Sequence, residues 1–165
     1  MSCTIRLATA SDLTAINDIY NHYVHESTST YQERPEPIES RHQWFARHGN
    51  AHPVTVAEVD GRVVGWGALS PFHARSAYRF TVENSVYVAA DHHRQGIGDA
   101  LLADLIVRAR AIGHRTIIAG IDGDQMASVA IHAKHGFVRA GELREVGFKF
   151  GRWLNVVYMQ LNIAS

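Results

Sequence analysis

Apolar positions recur along this chain with two different periods. Thr4–Leu7 alternates over a short stretch and predicts an opening strand. Leu13, Ile16, Ile19, Tyr20 and Tyr23 then fall at helical spacing, behind Ser11 as an N-cap and Asp12 in the first turn. Ser27–Pro37 is polar, contains two prolines and predicts a loop. A second helix is expected from Ile38 to Arg47, with Trp44 and Phe45 on its inner face and Gly49-Asn50 ending it. Val54–Val59 and Val63–Leu69 read as two strands joined by Asp60-Gly61, a strong two-residue hairpin signal. Pro71–Tyr78 reads as a loop and Phe80–Val88 as a long strand. A glycine-bearing loop leads into a helix over 98–112, whose face carries Leu101, Leu102, Leu105, Ile106 and Ala109 and which Gly113 stops. Thr116–Ile121 predicts a buried strand and Ala127–His135 a short helix closed by Gly136. The chain from Phe137, and then Trp153–Leu161, supply the last strands.

The order is strand, helix, helix, three strands, helix, strand, helix, two strands. It predicts one α/β domain over residues 1–165, a mixed sheet covered by helices, with no internal repeat or linker.

Composition narrows the function. Sixteen basic and sixteen acidic side chains cancel, so no global field draws the chain to nucleic acid or an anionic membrane. No apolar run is long enough to suggest a membrane span. The first ten residues do not read as a signal peptide, and the single cysteine, Cys3, excludes an internal disulfide; both point to the cytoplasm. Eleven histidines are many, but none has the spacing of a zinc helix, and no metal is expected.

The segment Val86-Tyr87-Val88, a short loop, then Arg94-Gln95-Gly96-Ile97-Gly98-Asp99 places glycines where a strand feeds a helix. A helix start offers free N–H groups and partial positive charge, and bare glycines let an anion reach them, as a diphosphate would require. The same glycines also suit a plain tight turn. The loop lacks the Lys-Ser/Thr ending of a P-loop and the three-glycine spacing of a dinucleotide site. Glu83 stands in an otherwise apolar strand, where a carboxylate is costly unless paired or functional. An ion pair with Arg79 or another base, or exposure on the open side of the strand, would account for it.

The six positions His93 to Gly98 resemble the coenzyme A site of the GNAT superfamily of N-acetyltransferases, although His93 stands where arginine or glutamine is usual. Ile19-Tyr20-Asn21-His22-Tyr23, the run Thr81-Val82-Glu83-Asn84-Ser85-Val86-Tyr87-Val88, Leu143–Gly147 and Lys149-Phe150-Gly151-Arg152-Trp153 are similar to the phosphinothricin and methionine sulfoximine acetyltransferase branch. The resemblance covers Thr4 to about Leu161 and implies a central, mostly antiparallel sheet of about seven strands flanked by about four helices. It implies acetyl-CoA as cosubstrate, a small amino-acid acceptor and a homodimer. Carried onto this chain, Glu83 would be the general base and His132 the group that protonates the departing thiolate. Val86, Tyr87 and Val88 would bind the pantetheine arm, with Arg94, Gln95, Gly96, Ile97, Gly98 and Asp99 around the diphosphate and Gln125 on the pantetheine. Arg75, Ser76, Ala77, Tyr78 and Arg79, with Lys134, would wall the acceptor pocket. His132 reads equally as a packing histidine, and each loop arginine, taken singly, reads first as a solvated side chain. Another small amine, a protein N-terminus, or a coenzyme-A sensor without catalysis are the alternatives.

Overall fold

The structure is a computed structural model that describes residues 2–164, leaving Met1 and Ser165 outside. Its strands are β1 (Cys3–Leu7), β2 (Val54–Val59), β3 (Arg62–Pro71), β4 (Thr81–Val88), β5 (Thr116–Asp122), β6 (Val138–Lys149) and β7 (Arg152–Asn162). They form one seven-stranded sheet in the order β1-β2-β3-β4-β5-β7-β6. Every neighbouring pair is antiparallel except β4 and β5. The helices are α1 (Leu13–Glu26), α2 (Ile38–Ala46), α3 (Ile97–Ile112) and α4 (Met126–Lys134). The element order and the mixed fold agree with the pattern of apolar positions.

The alternation of the strands assigns the helices to faces. Trp66 and Ala68 of β3 and Val54 and Val56 of β2 pack with Leu13, Ile16, Ile19 and Tyr23 of α1. On the other face, Leu69, Val82, Ile117 and Ala119 pack against Leu102, Leu105 and Ile106 of α3. Gly65 and Gly67 explain how closely α3 approaches. A Cβ at either would come within 3.1 and 3.0 Å of Leu101 Cδ1 and Leu105 Cδ1.

Three local features depart from the sequence reading. Ser11 does not cap α1: it sits inside a short 3-10 turn that Thr9 precedes, where the Thr9 N–H donates to Asp12 Oδ2 at 2.8 Å, and Asp12 holds the N-cap position of α1. The last two strands are one long hairpin whose turn residues, Phe150 (φ 54°) and Gly151 (φ 73°), are both left-handed. That is the geometry of Asp60-Gly61, written at the second site with a phenylalanine that carries no turn signal. The third feature is Lys149, at the end of β6 and only 2% exposed. Its Nζ donates to the carbonyls of Ser27 and Thr30 at 2.7 Å each and of Tyr23 at 3.4 Å. One ammonium thus caps the C-terminus of α1 and ties down the start of the α1–α2 loop. Burial pulls its pKa below the ordinary lysine value.

Replacing Lys149 with methionine keeps the stem and strands those buried carbonyls. Unfolding free energy is expected to fall by about 2–4 kcal/mol, read as a lower urea midpoint at unchanged slope. An unshifted midpoint would remove Lys149 as the anchor.

Candidate active site

The site begins with a defect in the sheet. β4 pairs with β5 only over Thr81–Glu83 against Thr116–Ile118. β4 stays paired with β3 as far as Val88, and β5 with β7 as far as Asp122. Beyond Glu83 the two halves of the sheet therefore part. The Thr81 carbonyl accepts from the Phe72 N–H, and the Ala89 N–H donates to Val64, both on the β3 side. Strand alternation then turns the N–H and C=O groups of Asn84, Val86 and Val88 into the split. The Val88 carbonyl is already engaged there by Tyr23 Oη and His93 Nε2. A cleft of about 880 Å³ opens along the split, from Glu83 past Val86 and Val88 to the start of α3.

At its far end lies a row of free amides. Ala100 N–H closes the first helical bond of α3, to Gly96, at 3.0 Å. The N–H groups of Gln95, Gly96, Ile97, Gly98 and Asp99 have no acceptor among the described residues. Arg94 (φ 59°) and Gly96 (φ 80°) take left-handed conformations that curl the backbone into this concavity. A Cβ at Gly96 would meet nothing within 4 Å, whereas one at Gly98 would lie 3.7 Å from Val88 Cγ2 and 3.8 Å from Ile131 Cδ1. Gly96 thus serves through its backbone angle, whereas at Gly98 a Cβ alone would make ordinary contacts and a larger side chain would fill the space between two cleft walls. The concavity fits a diphosphate, and a long cleft leading to it fits the coenzyme that carries one.

Glu83 stands where the strands part. Its carboxylate makes no hydrogen bond with any described residue; a Cβ at Gly120 of β5 would sit 3.4 Å from its Oε1 and 3.4 Å from the ring of Tyr158. Burial raises its pKa above the ordinary carboxylate value, against a small opposing pull from His73. The alternative of an ion pair with Arg79 is not realised: Arg79 donates to the Ser76 carbonyl and lies over the Phe80 ring.

His132 lines the same cleft from α4 and is buried. Its Nδ1 donates to the Ser128 carbonyl at 2.7 Å, and its Nε2 accepts from Asn84 Nδ2 at 3.0 Å. Both ring nitrogens are used by a neutral imidazole, and burial lowers its pKa further. Asn84 Oδ1 is buried without a partner. A turn of that amide would offer an acceptor to a protonated Nε2.

The remaining expected residues divide in two. Val86, Tyr87, Val88, Arg94, Gly96, Ile97, Gly98, Asp99, Gln125 and Lys134 all line the cleft, and Gln95 adds its free amide. Gln125 already donates to Thr28 Oγ1 at 3.2 Å. Lys134 does not stand beside Glu83: it pairs with Asp99 at 2.9 Å, and His135 pairs with the same carboxylate at 2.8 Å, which fastens α4 to the start of α3. Arg75, Ser76, Ala77, Tyr78 and Arg79 form an exposed turn outside the cleft lining of this single chain. Two contributors escaped the sequence reading. Asp122 accepts from Thr28 Oγ1 at 2.7 Å and Tyr31 Oη at 2.6 Å, holding the α1–α2 loop over the split. Asn84 was legible only through its place one residue after Glu83. Among the described residues no three His, Cys, Asp or Glu side chains gather as metal ligands would.

Residues 16–137 match the Acetyltransferase (GNAT) family. The chain is 43% identical over 161 residues to a phosphinothricin N-acetyltransferase of Alcaligenes faecalis, covering 96% of this chain and 82% of that protein. It is 38% identical, over 97% of its own length and 94% of the relative's, to an L-methionine sulfoximine/L-methionine sulfone acetyltransferase of Salmonella typhimurium. The crystal structure of a phosphinothricin acetyltransferase from Sinorhizobium meliloti in complex with acetyl-CoA superposes with a TM-score of 0.95 at 40% identity, covering 98% of this chain and 89% of that one.

Gly98→Val would push a branched side chain between Val88 and Ile131. Coenzyme A affinity, read by calorimetry, is expected to fall by at least about tenfold while the circular dichroism spectrum is kept. Unchanged affinity in a folded variant would dismiss the cradle.

Proposed function

The chain belongs to the acetyltransferase (GNAT) family, and we propose that Glu83 is its general base and that its acceptor is a free amino acid with a compact polar side chain, such as phosphinothricin, methionine sulfoximine or methionine sulfone. It is an N-acetyltransferase with acetyl-CoA as cosubstrate. The observation that carries the reading is the Glu83 carboxylate, unbonded and partly desolvated in the throat of the split.

Acetyl-CoA supplies an acyl group activated as a thioester. The residues of the chain do the rest. The free amides from Gln95 to Asp99 hold the diphosphate, and the backbone groups of Asn84 and Val86 meet the amides of the pantetheine arm as an added strand would. An acceptor ammonium is not a nucleophile; Glu83 takes its proton, directly or through water. A β4 N–H facing the split supplies a donor for the carbonyl oxygen as it gains charge. The departing thiolate needs a proton, and His132 is the titratable group near that position. As found it is neutral with Nε2 unprotonated, so it serves only after gaining a proton from water and turning the Asn84 amide.

Burial penalises the charged form of Glu83, so its pKa is raised; a base works deprotonated. kcat/KM should therefore climb with pH through a limb above the ordinary carboxylate value of about 4.3. Glu83→Gln should lower kcat by roughly 10²–10⁴-fold, abolish that limb and leave acetyl-CoA affinity near normal. A thiol-release assay over a panel of amino acids measures this, and wild-type kcat in the variant would reduce Glu83 to a structural carboxylate.

The assembly belongs to the same reading. The β6–β7 ribbon exposes Leu143, Val146, Phe148, Phe150 and Trp153, each at least 47% exposed, and such a patch favours a homodimer. A second subunit laid on it would also explain how the exposed Arg75–Arg79 turn comes to wall a pocket. The exposed free Cys3 suits a reducing cytoplasm, and acetylation of a toxic amino acid would be a detoxification. Trp153→Glu should shift light-scattering mass from dimer to monomer; a monomeric wild type removes the dimer.

A further inference from the structure

Arg41 is 4% exposed, on the inner side of α2. Its guanidinium stays charged across the physiological range, yet it forms no salt bridge among the described residues. Its flat faces lie against Tyr20, Trp44 and Trp66, with ring centres 4.7, 4.6 and 5.6 Å from Cζ. Its Nε donates to Asn17 Oδ1 at 3.1 Å. The N–H groups on Nη1 and Nη2 have no acceptor among the described residues, and neither nitrogen is sealed off. Arg41 lines a cavity of about 450 Å³ between α2, the 32–36 segment and the face of β4. Glu36 also lines it, but accepts from Gln32 Nε2 at 2.8 Å instead. A desolvated guanidinium with an idle fork is costly, and the fork matches two oxygens on one atom.

The cavity and the coenzyme cleft share Ser85 and Tyr87. These two and Glu83 occupy one face of β4, about 7 and 13 Å from Glu83 by strand rise. Trp66, which Arg41 covers, is the cross-strand partner of Tyr87. An acceptor whose amine lies at Glu83 therefore directs its far end along β4 toward Arg41. The rise from Glu83 to Tyr87, about 13 Å, less about 3 Å for a hydrogen bond at each end, leaves room along the strand for a ligand of up to roughly 7 Å. An amino acid whose sulfur or phosphorus lies four bonds from the amine reaches about 6 Å to its oxygens when extended.

We propose that the Arg41 cavity is the subsite for the distal head of the acceptor. Nη1 and Nη2 donate to two oxygens of a sulfonyl, phosphinate or similar oxygen-bearing group, and the surrounding indole and phenol rings take its methyl substituent. Arg41 then determines specificity: it distinguishes oxidised from unoxidised heads of equal length. The inference rests on the amino-acid reading of the acceptor above.

The test compares kcat/KM for methionine sulfone and for methionine in the wild type, Arg41→Met and Arg41→Lys. The wild type should prefer the sulfone, and Arg41→Met should lower the sulfone-to-methionine ratio by at least about tenfold. Arg41→Lys keeps the charge without the fork and should lower it by less; it is also the variant to read where Arg41→Met does not fold. An unchanged ratio overturns the proposal, even if both rates fall together, because that is what a packing role alone produces. A wild type that acetylates neither compound defeats the amino-acid reading instead. The subsite is then decided by tryptophan fluorescence during titration with methionine sulfone, since Trp44 and Trp66 flank the guanidinium. A saturable change lost on substituting Arg41 supports it, and no change overturns it.

Discussion

The parting of β4 from β5 beyond Glu83 is the constraint on which the rest of this structure depends. Three residue pairs join the only parallel neighbours in the sheet. After them, each strand keeps its antiparallel partner and neither has the other. Backbone groups on Asn84 and Val86 are thereby left to find acceptors and donors elsewhere. A chain-like ligand with amides of its own meets that need as a third strand would. The same divergence leaves room for the Glu83 carboxylate to lean over Gly120, where a side chain would crowd it at 3.4 Å. The position of the Glu83 carboxylate and the open cleft beside it are thus two consequences of one interruption in the sheet.

An open sheet must be held open, and buried polar groups at the ends of its strands do this. Lys149 draws the carbonyls of Ser27 and Thr30 toward the β6–β7 hairpin. Asp122, at the end of β5, receives the hydroxyls of Thr28 and Tyr31 from the same loop. The ring of Tyr31 lies so close to β6 that a Cβ at Gly147 would come within 2.6 Å of it. On the opposite side of the split, Tyr23 from α1 holds the Val88 carbonyl. The Tyr87 hydroxyl of β4 also donates to the Ser29 carbonyl at 3.2 Å, so α1 and the loop after it bridge both halves of the sheet, and the width of the split is set by contacts distant in sequence.

That distance decides what the sequence disclosed. Strands and helices follow from local periodicity, so the element order was legible from end to end, and so was the glycine loop, whose chemistry lies in its own backbone. Glu83 stood out because a carboxylate interrupts an apolar run. Arg41 did not, because an arginine in the polar sequence Glu39-Ser40-Arg41-His42-Gln43 is unremarkable until three aromatic rings from separate elements close over it. Lys134 had the right helix, but helical rotation brings it to Asp99. Phe150 shows the converse limit: the hairpin forces a left-handed phenylalanine because the long β6–β7 register leaves only two residues for the turn.

The alternation of β4 also orders the movement of protons. Glu83 faces the α1 and α2 side of the sheet, and Asn84, the next residue, faces α4, where it holds His132. The proposed base and the His132 ring therefore stand on opposite faces of β4. No side-chain hydrogen bond connects them among the described residues. Burial favours the neutral form of both, raising Glu83 and lowering His132. Glu83 consequently has more affinity for a proton than an exposed carboxylate, while His132 holds no spare proton in advance. The strand that positions both groups also keeps them apart, so on the proposed mechanism a proton released at the acceptor would have to cross the split through water to reach the thiolate.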